Sequence, residues 1–320
     1  MARIFVTREL PGAGLARLGE VHRVEIWPAP LPPPRADLLR GVAGAEGLLC
    51  LLSDRIDAEL FAAASNLRAV ANFAVGYDNI DLAEAERRGI AVGNTPGVLT
   101  ETTADLTFGL ILAAARGLIG AAADAREGRW RTWEPAGWLG HDVHGATLLV
   151  IGPGAIGSAV ARRADGFAMR VLFAGRGDDL APRLAEADFV SLHLPLSDAT
   201  QGLIGEPELE AMKPTAYLIN TARGELVDQS ALRRALDRGS IAGAGIDVSS
   251  PEPLDADNPL HGARNLTVLP HIGSASHATR SAMAELAVDN LLAALDRRPM
   301  PHPVTESRRP DSNRGPLHYE

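Results

Sequence analysis

A five-residue run, Thr147 to Ile151, that ends in the turn Gly152-Pro153-Gly154-Ala155-Ile156-Gly157 restricts this chain's folding more than any other stretch. Thr147-Leu148-Leu149-Val150-Ile151 is apolar and β-branched, which suits a strand buried on both faces. Ala155 to Ala164 has the composition to begin a helix. A strand that turns through glycines into a helix opens a right-handed crossover, and the unbonded amides at the head of such a helix attract a pyrophosphate. Glycines at this spacing arise by chance in a chain with 32 of them, so the turn alone is a weak signal. Its place between strand and helix favours dinucleotide binding over a merely structural turn.

The same rhythm recurs on both sides. Upstream, Ile4 to Val6, Gly47 to Leu52, Ala69 to Ala74 and Ile90 to Val92 are strand candidates between polar or Ala-rich stretches. Downstream, Arg170 to Phe173, Phe189 to Leu192, Ala216 to Ile219, Ile241 to Ile246 and Leu266 to Leu269 alternate with helix-capable segments. This alternation predicts an α/β fold with two Rossmann-like, doubly wound parallel sheets, and 320 residues are enough for two cores of ~150 residues each. Thr100-Glu101-Thr102-Thr103 before an apolar pattern from Ala104 to Ala115 reads as a capped helix passing between domains, with the boundary near Pro96-Gly97. From His277 to Arg298, Met283, Leu286, Ala287, Leu291 and Leu295 fall at helical spacing, which predicts a long helix leading back to the first domain. The expected domains are 1–97 with 286–306, for substrate, and 98–285, for the dinucleotide. The tail 307–320 has no periodicity and reads as disordered. Asp311-Ser312-Asn313-Arg314 back-translates to the complement of the T-arm shared by transfer RNA genes, which suggests read-through into an opposing gene; genomic DNA without such a gene would remove that hypothesis.

Composition excludes several classes of partner. A formal charge of -9 with no basic stripe, and only 4% aromatic residues, argue against nucleic acid. No apolar stretch approaches the ~18 residues of a membrane span, and the N-terminus lacks the pattern of a secretory signal. One cysteine, Cys50, cannot form an intrachain disulfide and suits a reducing compartment, so the cytoplasm is expected. Pro28 to Pro34 reads as a stiff surface loop. Trp130, Trp133 and Trp138 fit core, dimer contact or lid equally.

Three further residues carry chemistry, each at the end of a strand-like run. Arg223 in Asn220-Thr221-Ala222-Arg223-Gly224-Glu225 lies where side chains leave the carboxyl edge of a parallel sheet. Glu252 sits between Pro251 and Pro253, and His271 follows Leu269-Pro270. Singly these read as a surface ion pair, a solvated acid and a buried histidine. Together, after the glycine turn, they supply a guanidinium to fork a carboxylate, an imidazole to carry a proton and an acid to keep that imidazole charged. In the window where an acid would hold the ribose hydroxyls of NAD, the chain has Phe173-Ala174-Gly175-Arg176-Gly177. Arg176 favours the extra phosphate of NADP(H), although Asp178 and Asp179 follow it and NAD(H) stays open.

From about Ile4 to Arg298 the chain resembles the D-isomer-specific 2-hydroxyacid dehydrogenases. The resemblance is carried by Asn72-Phe73-Ala74-Val75-Gly76-Tyr77-Asp78-Asn79, Asn94-Thr95-Pro96-Gly97, the glycine turn, His193-Leu194-Pro195-Leu196, Asn220 to Asp228, Gly245-Ile246-Asp247-Val248 and Leu269 to Ala275. Gly175-Arg176 and His271-Ile272-Gly273-Ser274-Ala275 look like glyoxylate and hydroxypyruvate reductases. The resemblance implies a homodimer that closes a small 2-oxo acid in a cleft between its domains. It implies that His271 is the general acid, Glu252 its partner, and Arg223 the group that binds the carboxylate and polarises the carbonyl. The amides of Val75 and Gly76 would cradle that carboxylate, with Leu51 and Ser274 beside the substrate. Gly152, Gly154, Ala155, Ile156, Gly157, Arg176, Pro195, Thr221, Asp247 and Gly273 would contact the cofactor, and Trp138 the partner subunit's site. No metal site is implied.

Two departures stand out. The segment between Arg176 and Ala187 is shorter than the family's usual adenine-pocket segment, and Asp105 stands where Glu is more common. The rival readings are another D-2-hydroxyacid specificity, such as phosphoglycerate oxidation, and a dinucleotide-sensing binding protein like the related corepressors. The first calls for an extra basic group near the substrate; the second leaves a complete acid, base and arginine set without use.

Overall fold

The computed structural model describes residues 1–305; the expected disordered tail lies outside them. The chain divides into two compact units, Met1–Leu99 with the segment from Ser274 onward, and Thr100–Gly273. Numbered along the chain, the first unit holds β1 (Arg3–Val6), β2 (Arg23–Ile26), β3 (Gly47–Cys50), β4 (Ala69–Asn72), β5 (Ala91–Gly93) and β12 (Pro303–Val304). The second holds β6 (Thr147–Ile151), β7 (Arg170–Ala174), β8 (Phe189–Leu192), β9 (Tyr217–Asn220), β10 (Gly243–Ile246) and β11 (Leu266–Val268).

Each unit is a six-stranded sheet. In the second the order is β11-β10-β9-β8-β6-β7, all parallel. Successive residues of its central strands point to opposite faces, and both faces are covered. Leu149, Ile151, Val190, Leu192 and Leu218 join one buried cluster, while Leu148, Val150, Phe189, Tyr217 and Ile219 join the other. That two-sided burial is why these strands read as unbroken apolar runs rather than alternating ones. The sheet's order reverses at β6, which lies between β7 and β8, so the crevice at its carboxyl end is where a ligand fits an open α/β sheet.

The first unit repeats the plan with order β12-β5-β4-β3-β1-β2. β3 and β4 are buried throughout. β2 escapes an apolar-run reading because Arg23-Val24-Glu25-Ile26 alternates at an exposed edge. β12 also escapes it: two residues pair antiparallel with β5, and Pro303 is tolerated at the sheet's edge. The helix His277–Leu295 packs along β3, β4 and β5 of this unit. A boundary at 285/286 would cut that helix in two, whereas the division at Gly273/Ser274 keeps it whole.

The helix expected to start after a cap at Thr100–Thr103 instead begins at Thr100 and runs to Arg116. Thr103 is buried inside it, and its carbonyl accepts the Thr107 hydroxyl at 2.9 Å. Lying three residues past the helix start, with its carbonyl taken up by the next turn, Thr103 is an interior residue and not a cap. Among the described residues no single helix is long and apolar enough to cross a membrane.

Glycine identity is tested most sharply at two positions. A Cβ at Gly157 would run into the Gly152 carbonyl oxygen and lie 3.0 Å from Val150 Cγ1. Gly157→Ala is therefore expected to destabilise the second unit by about 1–3 kcal/mol, read by urea unfolding. Gly19, inside the helix Gly14–Val21, has open space around it. Gly19→Ala is expected to stabilise by about 0.5–1 kcal/mol; equal effects of the two substitutions would contradict the packing described here.

Candidate active site

The glycine turn follows β6, and the helix Ala155–Asp165 begins at once. Gly152 has φ +95°, a conformation L side chains avoid, and a Cβ there would lie 2.7 Å from the His193 carbonyl oxygen. Gly152 thus lets the ends of β6 and β8 approach each other. Gly154 is different: a Cβ there would meet nothing within 4 Å. Gly154 offers no side chain to cap the helix, so the first-turn amides, which lack intrahelical acceptors, are available to an anion. These three glycines fit a pyrophosphate: two permit close packing and one leaves open space. The structure thus gives each glycine its own role.

After β7, Arg176 is exposed in the turn expected to meet the ribose. The acids that follow it are drawn into the loop. Asp178 accepts the Gly175 amide at 2.8 Å and lies 3.6 Å from Arg183, and Asp179 accepts the Ala181 amide at 3.1 Å. The shortened segment is a turn and one six-residue helix, Ala181–Glu186.

At the end of β8, His193 Nε2 and Ser191 Oγ are 2.8 Å apart. Burial pulls this imidazole's pKa down to about 3, so it is neutral at physiological pH and is no source of an acidic proton. Pro195, two residues on, is exposed, and its carbonyl accepts the Thr200 hydroxyl at 2.8 Å. Past β9, Thr221 is buried, with its hydroxyl 3.0 Å from that of Thr107. The Thr107 proton goes to the Thr103 carbonyl, so Thr221 donates to Thr107.

Arg223 is half-buried in extended backbone, with Nη1 donating to the Ala222 carbonyl at 2.8 Å. Its own carbonyl accepts Asn220 Nδ2 at 2.7 Å, and Asn220 Oδ1 takes the Ala222 amide at 3.0 Å. One asparagine therefore fixes the turn on both sides of the arginine. A Cβ at Gly224 would collide with the Ser249 backbone, so glycine lets the segment leading to Glu252 pass close by.

The acid and the imidazole meet. Glu252 Oε1 and His271 Nδ1 form a short contact, with side-chain exposures of 33% and 22% that leave the pair reachable by substrate. With Nδ1 engaged by the carboxylate, Nε2 is the atom left to carry a proton to a substrate. His271 has φ +54°, which is unfavourable for a residue with a Cβ. Asp247, just past β10 and 1% exposed, holds that turn: Oδ1 accepts the Ile272 amide at 2.8 Å and Oδ2 the Gly273 amide at 2.7 Å. The Asp247 carbonyl takes the His271 amide at 2.9 Å. Burial raises the Asp247 carboxyl above the ordinary range, and the two amides oppose that rise.

Arg223, Glu252, His271, Asp247, Gly273 and the glycine turn all belong to the second unit. Leu51, Val75, Gly76 and Ser274 belong to the first. Leu51 and Val75 follow the carboxyl ends of β3 and β4, the edge from which such sheets present ligand groups. Cys50, at the end of β3, is fully buried, and burial with the nearby Asp54 pushes its thiol up, away from a reactive thiolate. Among the described residues no cluster of three or more His, Cys, Asp or Glu could hold a metal ion. Thr107 and Asn220 were missed as supports because each acts through another residue; their only sequence signal is a short polar residue within or at the end of an apolar run.

Residues 108–273 match the model for the D-isomer specific 2-hydroxyacid dehydrogenase NAD binding domain. A glyoxylate reductase of Korarchaeum cryptofilum is 50% identical over 305 residues, covering 91% of this chain and 92% of that protein. A Thermococcus litoralis glyoxylate reductase is 44% identical over 308 residues, 91% of this chain and 93% of that protein. Among solved structures, the TT0316 protein of Thermus thermophilus superposes with a TM-score of 0.91 at 49% identity, over 95% of this chain and all of that one. An NADPH-dependent glyoxylate/hydroxypyruvate reductase of Sinorhizobium meliloti, solved with citrate, gives 0.84 at 33% identity over 96% and 99% of the two chains.

The Asp247 clamp makes a prediction independent of activity. Asp247→Asn replaces one acceptor oxygen with an NH₂ facing a backbone amide, at a cost of about 1–3 kcal/mol to the turn. Hydrogen exchange at Ile272 and Gly273 is expected to speed up accordingly, whereas unchanged exchange would show that the carboxylate does not hold the turn.

Proposed function

The chain belongs to the D-isomer specific 2-hydroxyacid dehydrogenase family, and we propose that it reduces glyoxylate or hydroxypyruvate to the 2-hydroxy acid, with NADPH preferred to NADH. The observation that carries this reading is the contact between His271 and Glu252, in the unit that also presents the glycine turn. When bound, the reduced nicotinamide supplies the hydride. The residues of this chain supply the rest.

Gly152, Gly154 and the amides of Ala155, Ile156 and Gly157 hold the pyrophosphate. Arg176 takes the ribose phosphate, a reading supported by the engagement of Asp178 and Asp179 within their own loop. Pro195, Thr221, Asp247 and Gly273 line the nicotinamide end; each Asp247 oxygen keeps a second lone pair with which to accept from the carboxamide. His271 protonates the ketone oxygen through Nε2 while Glu252 fixes the ring through Nδ1. Arg223 forks the substrate carboxylate and polarises the carbonyl, the Val75 and Gly76 amides receive the same carboxylate, and Leu51 and Ser274 border it.

The proposed assembly is a homodimer. The helix Leu118–Arg126 has no buried residue, and Leu118, Ile119, Trp130, Trp133, Trp138 and Leu139 are exposed. Apolar side chains in such number over one stretch mark an interface, and a second copy of the chain is the proposed occupant. Trp138 is proposed to reach the partner subunit's site. The single buried cysteine suits a reducing compartment, and the cytoplasm is the proposed location.

Purified protein is expected to oxidise NADPH in the presence of glyoxylate or hydroxypyruvate, followed by absorbance, and NADH more slowly. His271→Ala should lower turnover by ~10²-fold or more; an unchanged rate sinks its assignment as acid. Arg176→Ala should erase the preference for NADPH, and a preference for NADH in both proteins would defeat the cofactor reading. Sedimentation should give twice the 33.7 kDa chain mass, shifting toward monomer in Trp133→Asp.

A further inference from the structure

Three successive carbonyls after β4 are taken by donors within the first unit. The Ala74 carbonyl accepts the Thr95 amide at 2.9 Å. The Val75 carbonyl accepts Asn94 Nδ2 at 2.8 Å, and the Gly76 carbonyl accepts Asn72 Nδ2 at 2.8 Å. These peptides are trans, so each carbonyl points opposite to the N–H of the same peptide unit. Drawing the Ala74 carbonyl toward Thr95 therefore turns the Val75 N–H the other way. Drawing the Val75 carbonyl toward Asn94 does the same for the Gly76 N–H. Neither amide donates to another group among the described residues; Val75 is buried no more than in part, and Gly76 likewise. Adjacent unbonded amides of this kind form a concavity that attracts an anion.

Asn94, which imposes the Gly76 orientation, and Asn72, which holds the next peptide, are themselves braced. Asn94 is 8% exposed; its carbonyl accepts Asn290 Nδ2 at 2.9 Å and its amide donates to the His302 carbonyl at 3.2 Å. Asn290 is fully buried, and its Oδ1 accepts the His302 amide at 3.0 Å. Asn72, also fully buried, pairs with Asn79, whose Nδ2 reaches the Leu51 and Asp54 carbonyls at 3.1 and 3.0 Å. A buried amide side chain is costly unless its donors and acceptors are matched, and these are matched mostly to loop carbonyls.

We infer that Asn94 is a positioning residue that presets the Gly76 amide, beside a Val75 amide preset by the Thr95 backbone, to receive the substrate carboxylate, with Asn290 bracing Asn94. The inference rests on the role proposed above for those two amides. Because the carboxylate is held alike before and during hydride transfer, weakening the cradle raises KM and leaves kcat nearly unchanged.

The test uses the full chain with NADPH bound, labelled with ¹⁵N-valine and ¹⁵N-glycine and titrated with oxamate, a carboxylate that is not reduced. In the wild type, oxamate is expected to move the Val75 and Gly76 amide resonances. In Asn94→Ala the half-saturating oxamate concentration and the KM for glyoxylate are both expected to rise about tenfold, with kcat within about twofold. Wild-type amides that ignore oxamate would overturn the cradle itself, and the inference with it. Wild-type amides that respond, with half-saturation unchanged in Asn94→Ala, would overturn the inference while the cradle stands. A fall in kcat at unchanged KM would also overturn it. Should Asn94→Ala not fold, Asn94→Leu comes close to the same volume and removes the donor without adding a charge, and the same outcomes apply.

Discussion

A buried carboxylate needs donors, and Asp247 finds two in the consecutive amides of Ile272 and Gly273. The chemistry of the second unit depends on that clamp. It fixes the turn in which His271 adopts φ +54° and faces Glu252. Without it, the strained backbone at His271 would relax toward a commoner conformation and the imidazole would lose its partner. The imidazole and its carboxylate partner come from loops nineteen residues apart, so the geometry belongs to the turn rather than to either side chain.

The two units solve opposite versions of one problem. In the second, a side-chain acceptor gathers backbone amides to hold a side chain in place. In the first, Asn94 and the Thr95 amide take up the Val75 and Ala74 carbonyls and turn the Gly76 and Val75 amides the other way. Both devices sit just beyond the carboxyl ends of parallel strands, where the chain leaves the ladder and its peptide groups need other partners. The sheets supply rigid edges, and short polar side chains decide which way the peptides beyond those edges face.

Most of this architecture was legible in the amino-acid sequence because two-sided burial writes itself as continuous apolar runs. Thr147–Ile151 and Phe189–Leu192 are legible to the residue, and the other central strands to within a residue or two. β2 was not legible, since an exposed edge strand with alternating Arg23 and Glu25 resembles a loop. Neither was β12, whose two residues owe their pairing to the return of the chain to β5. At the site, Arg223, Glu252 and His271 stood out because charged groups at strand ends are uncommon. Asn94, Asn72 and Thr107 did not, because a neutral polar side chain shows its use only once its partner is seen. The acids after Arg176 illustrate the same limit: by sequence they compete with the arginine, while the fold binds them to their own loop.

In the proposed reaction, hydride passes from the reduced nicotinamide to the carbonyl carbon of a small 2-oxo acid while His271 protonates its oxygen. The most direct measurement is the fate of the transferred hydrogen: glyoxylate reduced with NADPH fully deuterated at the nicotinamide C4, in ordinary water, and the glycolate examined by mass spectrometry and proton NMR. One deuterium on carbon 2 of the product is the predicted result. Glycolate whose newly gained carbon-bound hydrogen comes from water, or no glycolate at all, would contradict it.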